Sequence, residues 1–324
     1  MRDKNISVLR VFAMLMVVFY HCLCFYTPAW SKMPPVGSIT IVARIVNTID
    51  MPIFIFMSGY LYSYLYNFCN KYRNAGIFCV DKVKRLLIPY TFWGVFLCVI
   101  MPEMYSPVQL LNGISHLWFL WVLFMMFAIT FIKRTFWMSL TRWQTMVIIS
   151  VSMLLLPIVF RFDFFGQWLR IRAFVLYFPA FIMGLYIGRG TLDIWAKKHI
   201  RLIMAVGVII MLMIISFSVL GKFSLLLPFL GLIVVCCVWL NRKELIKFKI
   251  SGGGYIQSLD KCSMGIYIIH HIIICWAVEE ESIRMYLSDN VFVAPFLMFL
   301  IVLPLSWWIV YVMKRYLYLT FLLG

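Results

Sequence analysis

Arg10 and His21 lie eleven residues apart in a long apolar segment near the start of the chain. At 100° per residue that spacing comes to about 1,100°, roughly 20° past three full turns, over a rise of about 16 Å. One helix face therefore carries a guanidinium near one end and an imidazole near the other. Ionisable groups inside a bilayer are costly, so they are usually retained for a task and turned toward the bundle interior or a wet cavity. Guanidinium binds phosphate through a rigid bidentate fork. Imidazole serves as a general base toward an attacking hydroxyl, or as a nucleophile that carries a group briefly. The pair suits a long ligand with its anionic end at Arg10 and its reactive end near His21. The plainer reading is an arginine snorkelling to headgroups and a histidine hydrogen-bonded across helices.

Further residues fit the same chemistry. Lys82, Lys84 and Arg85 run into Leu86, Leu87, Ile88 and Pro89, which sets cations at a helix mouth for a donor phosphate, or merely for topology. Asp50 stands before Met51 and Pro52, where its carboxylate can orient an imidazole or simply cap a helix. His116 and Trp118 open another apolar segment as catalytic and cavity candidates, or as part of an interfacial aromatic belt. Ser58 interrupts an apolar run beside Gly59 and lines a cavity or permits close helix approach. Tyr267 precedes the adjacent pair His270 and His271. Neighbours on a helix differ by about 100° in direction, so only one of that pair is expected to face a central cavity, and His270 is taken as that one. Arg161, Arg170 and Arg172 suit an anionic acceptor or headgroups. The nine cysteines have no metal-ligand spacing, so packing is their reading and no metal is expected.

The elements that position these residues follow from composition. Hydrophobic residues make up 64% of the chain and charged residues 13%, with a mean hydropathy of +0.97. That is far outside the soluble range of about 25% charge, so this is an integral membrane protein. Apolar stretches near the roughly 20 residues needed to cross a bilayer recur along the chain without period-two alternation, which excludes an outer-membrane barrel. About ten transmembrane helices in one all-α bundle are predicted, near 6–27, 49–68, 85–101, 115–132, 144–160, 172–189, 201–219, 222–240, 263–278 and 291–313. The first is too long for a signal-peptide core and is expected to stay in the mature protein.

A net charge of +17 does not point to nucleic acid, because the basic residues sit in short loops between apolar segments and report orientation instead. With a cytoplasmic amino terminus, about 21 Lys and Arg fall inside and about seven outside, so both termini are expected to be cytoplasmic. No repeat is evident, and residues 1–324 are read as a single membrane domain. The connection near 28–48, with Pro28, Pro34, Pro35 and Gly37, is expected to be an outer lid or acceptor surface. The stretch near 241–262 is expected to be a basic inner loop holding Arg242, Lys243, Lys247 and Lys249, with Gly252, Gly253 and Gly254, beside anionic lipid or a phosphate.

Taken together, these residues resemble the membrane-bound acyltransferase-3 family, whose members O-acylate sugars of cell-surface polymers. Arg10 and His21 match its first-helix signature of an arginine, ten residues and a histidine. PIFIFMSGY from Pro52 resembles its second-helix segment, and KVKRLLIP from Lys82 its basic segment before a proline. HLWFL from His116 and SMGIYIIH from Ser263 are similar to its later motifs. Lys82 stands where an arginine is often found, which leaves Arg85 the better phosphate anchor. The resemblance does not extend to the carboxy-terminal hydrolase-like domain of some members, implying a partner for any second transfer step.

The resemblance implies an acyl-CoA donor, acetyl-CoA in the first instance, entering from the cytoplasm at Arg10, Lys82, Lys84 and Arg85. It implies an extracytoplasmic or lipid-linked saccharide as acceptor and the cytoplasmic (inner) membrane as location. His21 is then the base or nucleophile, with Asp50 and His116 beside it. The rival class is a transporter or flippase for a lipid-linked saccharide, which often carries paired halves and interrupted helices around a midplane site. A third reading is a scaffold subunit.

Overall fold

The computed structural model describes residues 4–28, 30, 33–162, 164, 168–190, 192, 198–221, 225–242, 253–316 and 318–324. Lys32, Lys197, Lys222 and most of the basic inner loop, with Lys243, Lys247, Lys249 and Gly252, lie outside them. The described residues form helices and no strand. In chain order the α-helices are α1 (Lys4–Cys24), α2 (Gly37–Asn67), α3 (Ala75–Lys82), α4 (Ile88–Ile100), α5 (Trp118–Ile132), the short α6 (Arg134–Met138) and α7 (Arg142–Arg161). They continue with α8 (Ile171–Ile187), α9 (Ile200–Leu220), α10 (Leu227–Leu240), α11 (Gly253–Glu279), α12 (Glu281–Asp289) and α13 (Ala294–Arg315). A π-helical turn, Val83–Leu87, joins α3 to α4.

Among the described residues, eight helical stretches are long and apolar enough to cross a membrane, and α8 and α10 are shorter apolar helices. The outward face of α9, with Leu202, Val208, Ile209, Leu212, Val219 and Leu220, is both apolar and exposed. Such a face is stable against lipid and not against water. The chain is an all-α, multi-pass membrane protein.

Helices α2 and α11 begin ten or more residues earlier than the hydropathy pattern predicts. Helix α2 runs over 31 residues from Gly37, so much of the expected irregular connection at 28–48 is helix. Helix α11 starts at Gly253, within the expected basic loop. Two compact units emerge, one of residues 1–54 and 195–318, the other of 55–194 and 319–324. In the first, α1 packs on α11 and α13, α11 on α13, and α9 on α10. In the second, α7 and α5 each pack on α8, and the Trp93 indole donates to the Leu322 carbonyl at 2.8 Å.

Pro52 sits inside α2 and brings no N–H for the Thr48 carbonyl four residues back. That carbonyl faces Gly231 of α10 so closely that a Cβ at 231 would overlap it. Gly231→Ala is therefore expected to destabilise the protein by about 1–3 kcal/mol, the usual cost of overpacking against backbone. Gly37→Ala, with nothing within 4 Å of the new Cβ, serves as the neutral control. Thermal unfolding in detergent checks both, and equal melting temperatures would refute the contact.

Candidate active site

Helices α1 and α11 run parallel, as two rungs of side-chain contacts show. At the first rung Arg10 reaches Asp260, with Nη2 2.6 Å from Oδ1 and 2.9 Å from Oδ2. The Ser7 hydroxyl donates to the same carboxylate at 2.7 Å. Asp260 is almost wholly buried, and the Arg10 side chain is 20% exposed. A carboxylate in an apolar bundle needs such partners, and these two supply charge and hydrogen bonds together.

At the second rung His21 meets α11. Its ring lies 4.9 Å from that of His270 and 4.8 Å from that of His271. Asp260 and His271 are separated by the same eleven residues as Arg10 and His21. Two parallel helices with one spacing thus match cation to carboxylate at one end and imidazole to imidazole at the other.

The hydrogen bonds fix the tautomers. His21 Nδ1 is 2.9 Å from the Val17 carbonyl, and His270 Nδ1 is 2.9 Å from the Ile266 carbonyl. A carbonyl oxygen can only accept, so in both rings Nδ1 carries the proton. His270 Nε2 then holds a lone pair, and it stands 3.1 Å from His21 Nδ1 as a second acceptor for that proton. The lone pair of His21 is accordingly on Nε2, as a general base requires. Beyond this rung Trp30 lies 5.5 Å from the His271 ring and 5.2 Å from Phe25, and the Tyr26 hydroxyl donates to the Leu287 carbonyl at 3.0 Å. Of the connection expected at 28–48, Trp30 thus lies against His271.

The other sequence candidates are distributed over both units. Asp50 lies inside α2 instead of ahead of it, fully buried. Its Oδ1 accepts the Met51 amide at 2.6 Å, and its Oδ2 has no hydrogen-bond partner among the described residues. Tyr267 is buried, 6.0 Å from His270. In the second unit, His116 sits buried in a 3-10 turn with Nδ1 3.4 Å from the Ser115 hydroxyl. Trp118 stacks on Tyr177 at 5.7 Å. Ser58 is half-buried on α2, next to Gly59, whose missing side chain admits the Phe181 carbonyl.

The basic segment divides its cations among three surroundings. Lys82 points its ammonium into an aromatic cage, 3.8 Å from the Phe127 centroid and 4.7 Å from that of Tyr72. Arg85 pairs with Asp81 at 3.1 Å, and Lys84 is exposed. Asp81 also accepts the Tyr72 hydroxyl at 2.5 Å. Burial, then that carboxylate, pushes the Tyr72 phenol well above its usual range, so it remains a donor. Outside this segment, Arg170 donates to the Gly113 carbonyl at 3.2 Å. Arg172 donates to the carbonyls of Val159, Phe160 and Phe162. Both therefore fasten the ends of helical segments.

A family model described as an acyltransferase domain, that of acyltransferase family 3, matches residues 3–315. The chain belongs to that family. It is a membrane acyltransferase, and the match includes both rungs of the α1–α11 pair. No curated protein and no solved structure is significantly similar to it.

Two members of the α1–α11 side-chain cluster, Asp260 and His271, are not among the residues the sequence singles out. Asp260 was hidden in a stretch read as loop, although its distance from His271 repeats the Arg10 to His21 spacing. His271 was set aside by the rule that neighbours diverge. The His21 ring lies across the groove between the two directions, so both neighbours touch it.

Proposed function

We propose that this acyltransferase moves an acyl group, acetyl in the first instance, from cytoplasmic acyl-CoA to a hydroxyl of an extracytoplasmic or lipid-linked saccharide. The observation that carries the proposal is the His21 ring, held by Val17 and His270 with its lone pair on Nε2, on the helix face that bears Arg10. A saccharide hydroxyl gives its proton to Nε2 as its oxygen bonds to the acyl carbon. The carbon–sulfur bond breaks, and CoA leaves as the thiol once it is protonated. His270 orients the base. Asp50, with an unmatched carboxylate oxygen, is proposed to polarise the acceptor and Tyr267 to shape its path; within the second unit, His116 is proposed as a polar group for catalysis and Ser58 and Trp118 as cavity residues.

Arg10, fixed by Asp260, is proposed to hold a donor phosphate through its remaining N–H groups; Lys82, Lys84 and Arg85 are proposed, each by its own charge, as cations that attract the donor. The roughly 16 Å between Arg10 and His21 compares with the reach of a pantetheine arm. The excess of basic residues on one set of loops supports cytoplasmic termini in an inner membrane. The family match, which runs through both compact units, supports a single functional domain over residues 1–324.

The test is purified protein in lipid vesicles, supplied with radiolabelled acetyl-CoA and a lipid-linked saccharide extract. Label appearing in the saccharide as an alkali-labile ester is the expected result. Saccharide crossing the vesicle membrane with no CoA present and no ester formed would replace this reading with the flippase.

A further inference from the structure

We propose that Cys275 carries the acyl group as a thioester between donor and acceptor, with His271 taking the thiol proton. This rests on the acyl-CoA reading above and adds a covalent intermediate to it. Cys275 Sγ lies 3.3 Å from His271 Nδ1, and both residues are buried. A thiol and an imidazole within hydrogen-bond reach are the two parts an activated nucleophile needs. The His271 ring in turn contacts His21, so the dyad adjoins the base already assigned.

Position supports the role. Because α1 and α11 run parallel, Cys275 stands one turn beyond His271, about 6 Å farther from the Arg10–Asp260 rung. A group passed from CoA to Cys275 moves away from the end that grips the donor and toward the acceptor side. The neighbouring thiol of Cys24 donates instead to the His21 carbonyl at 3.2 Å. A carbonyl cannot take its proton, and among the described residues Cys24 makes no hydrogen bond to a base of this kind.

Both steps balance without oxidant or reductant. In the first, Sγ bonds to the acyl carbon, the carbon–sulfur bond to CoA breaks, and the thiol proton passes through His271 to the departing CoA sulfur. In the second, the saccharide oxygen bonds to the same carbon and the Cys275 thioester breaks. The hydroxyl proton goes to His21 Nε2 and from there to the Cys275 sulfur. Separating the steps lets donor and acceptor approach from different sides of the membrane.

The experiment incubates whole protein with radiolabelled acetyl-CoA and no acceptor, then digests it and locates the label by mass spectrometry. Label on the Cys275 peptide, removed by neutral hydroxylamine, with CoA released in step, is expected. His21→Ala should accumulate this adduct because only the second step is blocked. Cys275→Ala should lower transfer by at least about 10²-fold, while Cys24→Ala transfers normally. A His21→Ala protein that binds acetyl-CoA yet shows no adduct, alongside wild-type protein that esterifies saccharide and Cys275→Ala protein that does so at full rate, overturns the carrier and leaves the acyl-CoA reading standing. Wild-type protein that neither binds nor uses acetyl-CoA overturns both.

Discussion

Alanine at position 21 is expected to lower steady-state acyl transfer by about 10²–10⁴-fold, the range that loss of a positioned general base produces. The protein should still insert and purify normally, because the His21 contacts lie within a bundle otherwise closed by apolar residues such as Val17, Val18, Ile266 and Ile274. The loss is expected in kcat, with donor KM nearly unchanged, because in the proposed mechanism the imidazole works in the transition state and the donor phosphates bind elsewhere. A defect confined to KM would remove the assigned role. His270 separates positioning from chemistry. Glutamine at 270 retains an oxygen that can accept the His21 Nδ1 proton and should keep most of the rate. Leucine of similar volume offers no acceptor and should lose much of it, with equal melting temperatures. If both variants lose activity equally, the His270 Nε2 to His21 Nδ1 contact at 3.1 Å does not set the tautomer.

How much of this was legible in the sequence depended on whether a residue's partner was local. The Arg10 to His21 spacing was readable because both sit on one helix, whose observed extent, Lys4–Cys24, nearly matches the expected 6–27. Helix α11 was expected to begin at 263 because Asp260 and Lys261 break the apolar run. It begins ten residues earlier because Asp260 is neutralised from α1 by Arg10 and Ser7, a contact 250 or more residues away in the chain. Helix α2 was cut short for a related reason. Arg44, Asn47 and Asp50 lower its hydropathy, yet Arg44 donates to the Ser218 carbonyl at 3.3 Å and Asp50 accepts the adjacent Met51 amide. Hydropathy counts each polar group as though it faced the bilayer alone, and it errs where tertiary partners absorb the cost. In the basic segment the chemical difference between Lys82 and Arg85 is legible in the sequence, but their partners are not: Lys82 is enclosed by rings and Arg85 pairs with Asp81.

The Arg10–Asp260 pair gives the largest expected effect on stability, and it allows stability to be separated from function. Asp260→Ala strips a partly buried guanidinium of its carboxylate. Removing one member of a fully buried pair costs about 3–5 kcal/mol, and the one-fifth exposure of Arg10 places this case toward the lower end through water screening. Melting in detergent should fall markedly, and Arg10→Met should fall by a similar amount because Asp260 is the deeper of the two. The double variant Arg10→Met with Asp260→Leu replaces two desolvated charges with packing and should recover most of the lost stability. It should not recover donor binding if Arg10 grips a phosphate. In that case the double variant melts near wild type, binds acetyl-CoA weakly and gains nothing in melting temperature when acetyl-CoA is added, whereas the wild type is stabilised by its ligand. A double variant that recovers both stability and donor affinity would reduce the rung to a structural tie, and the anionic end of the donor would then have to be sought among Lys82, Lys84 and Arg85.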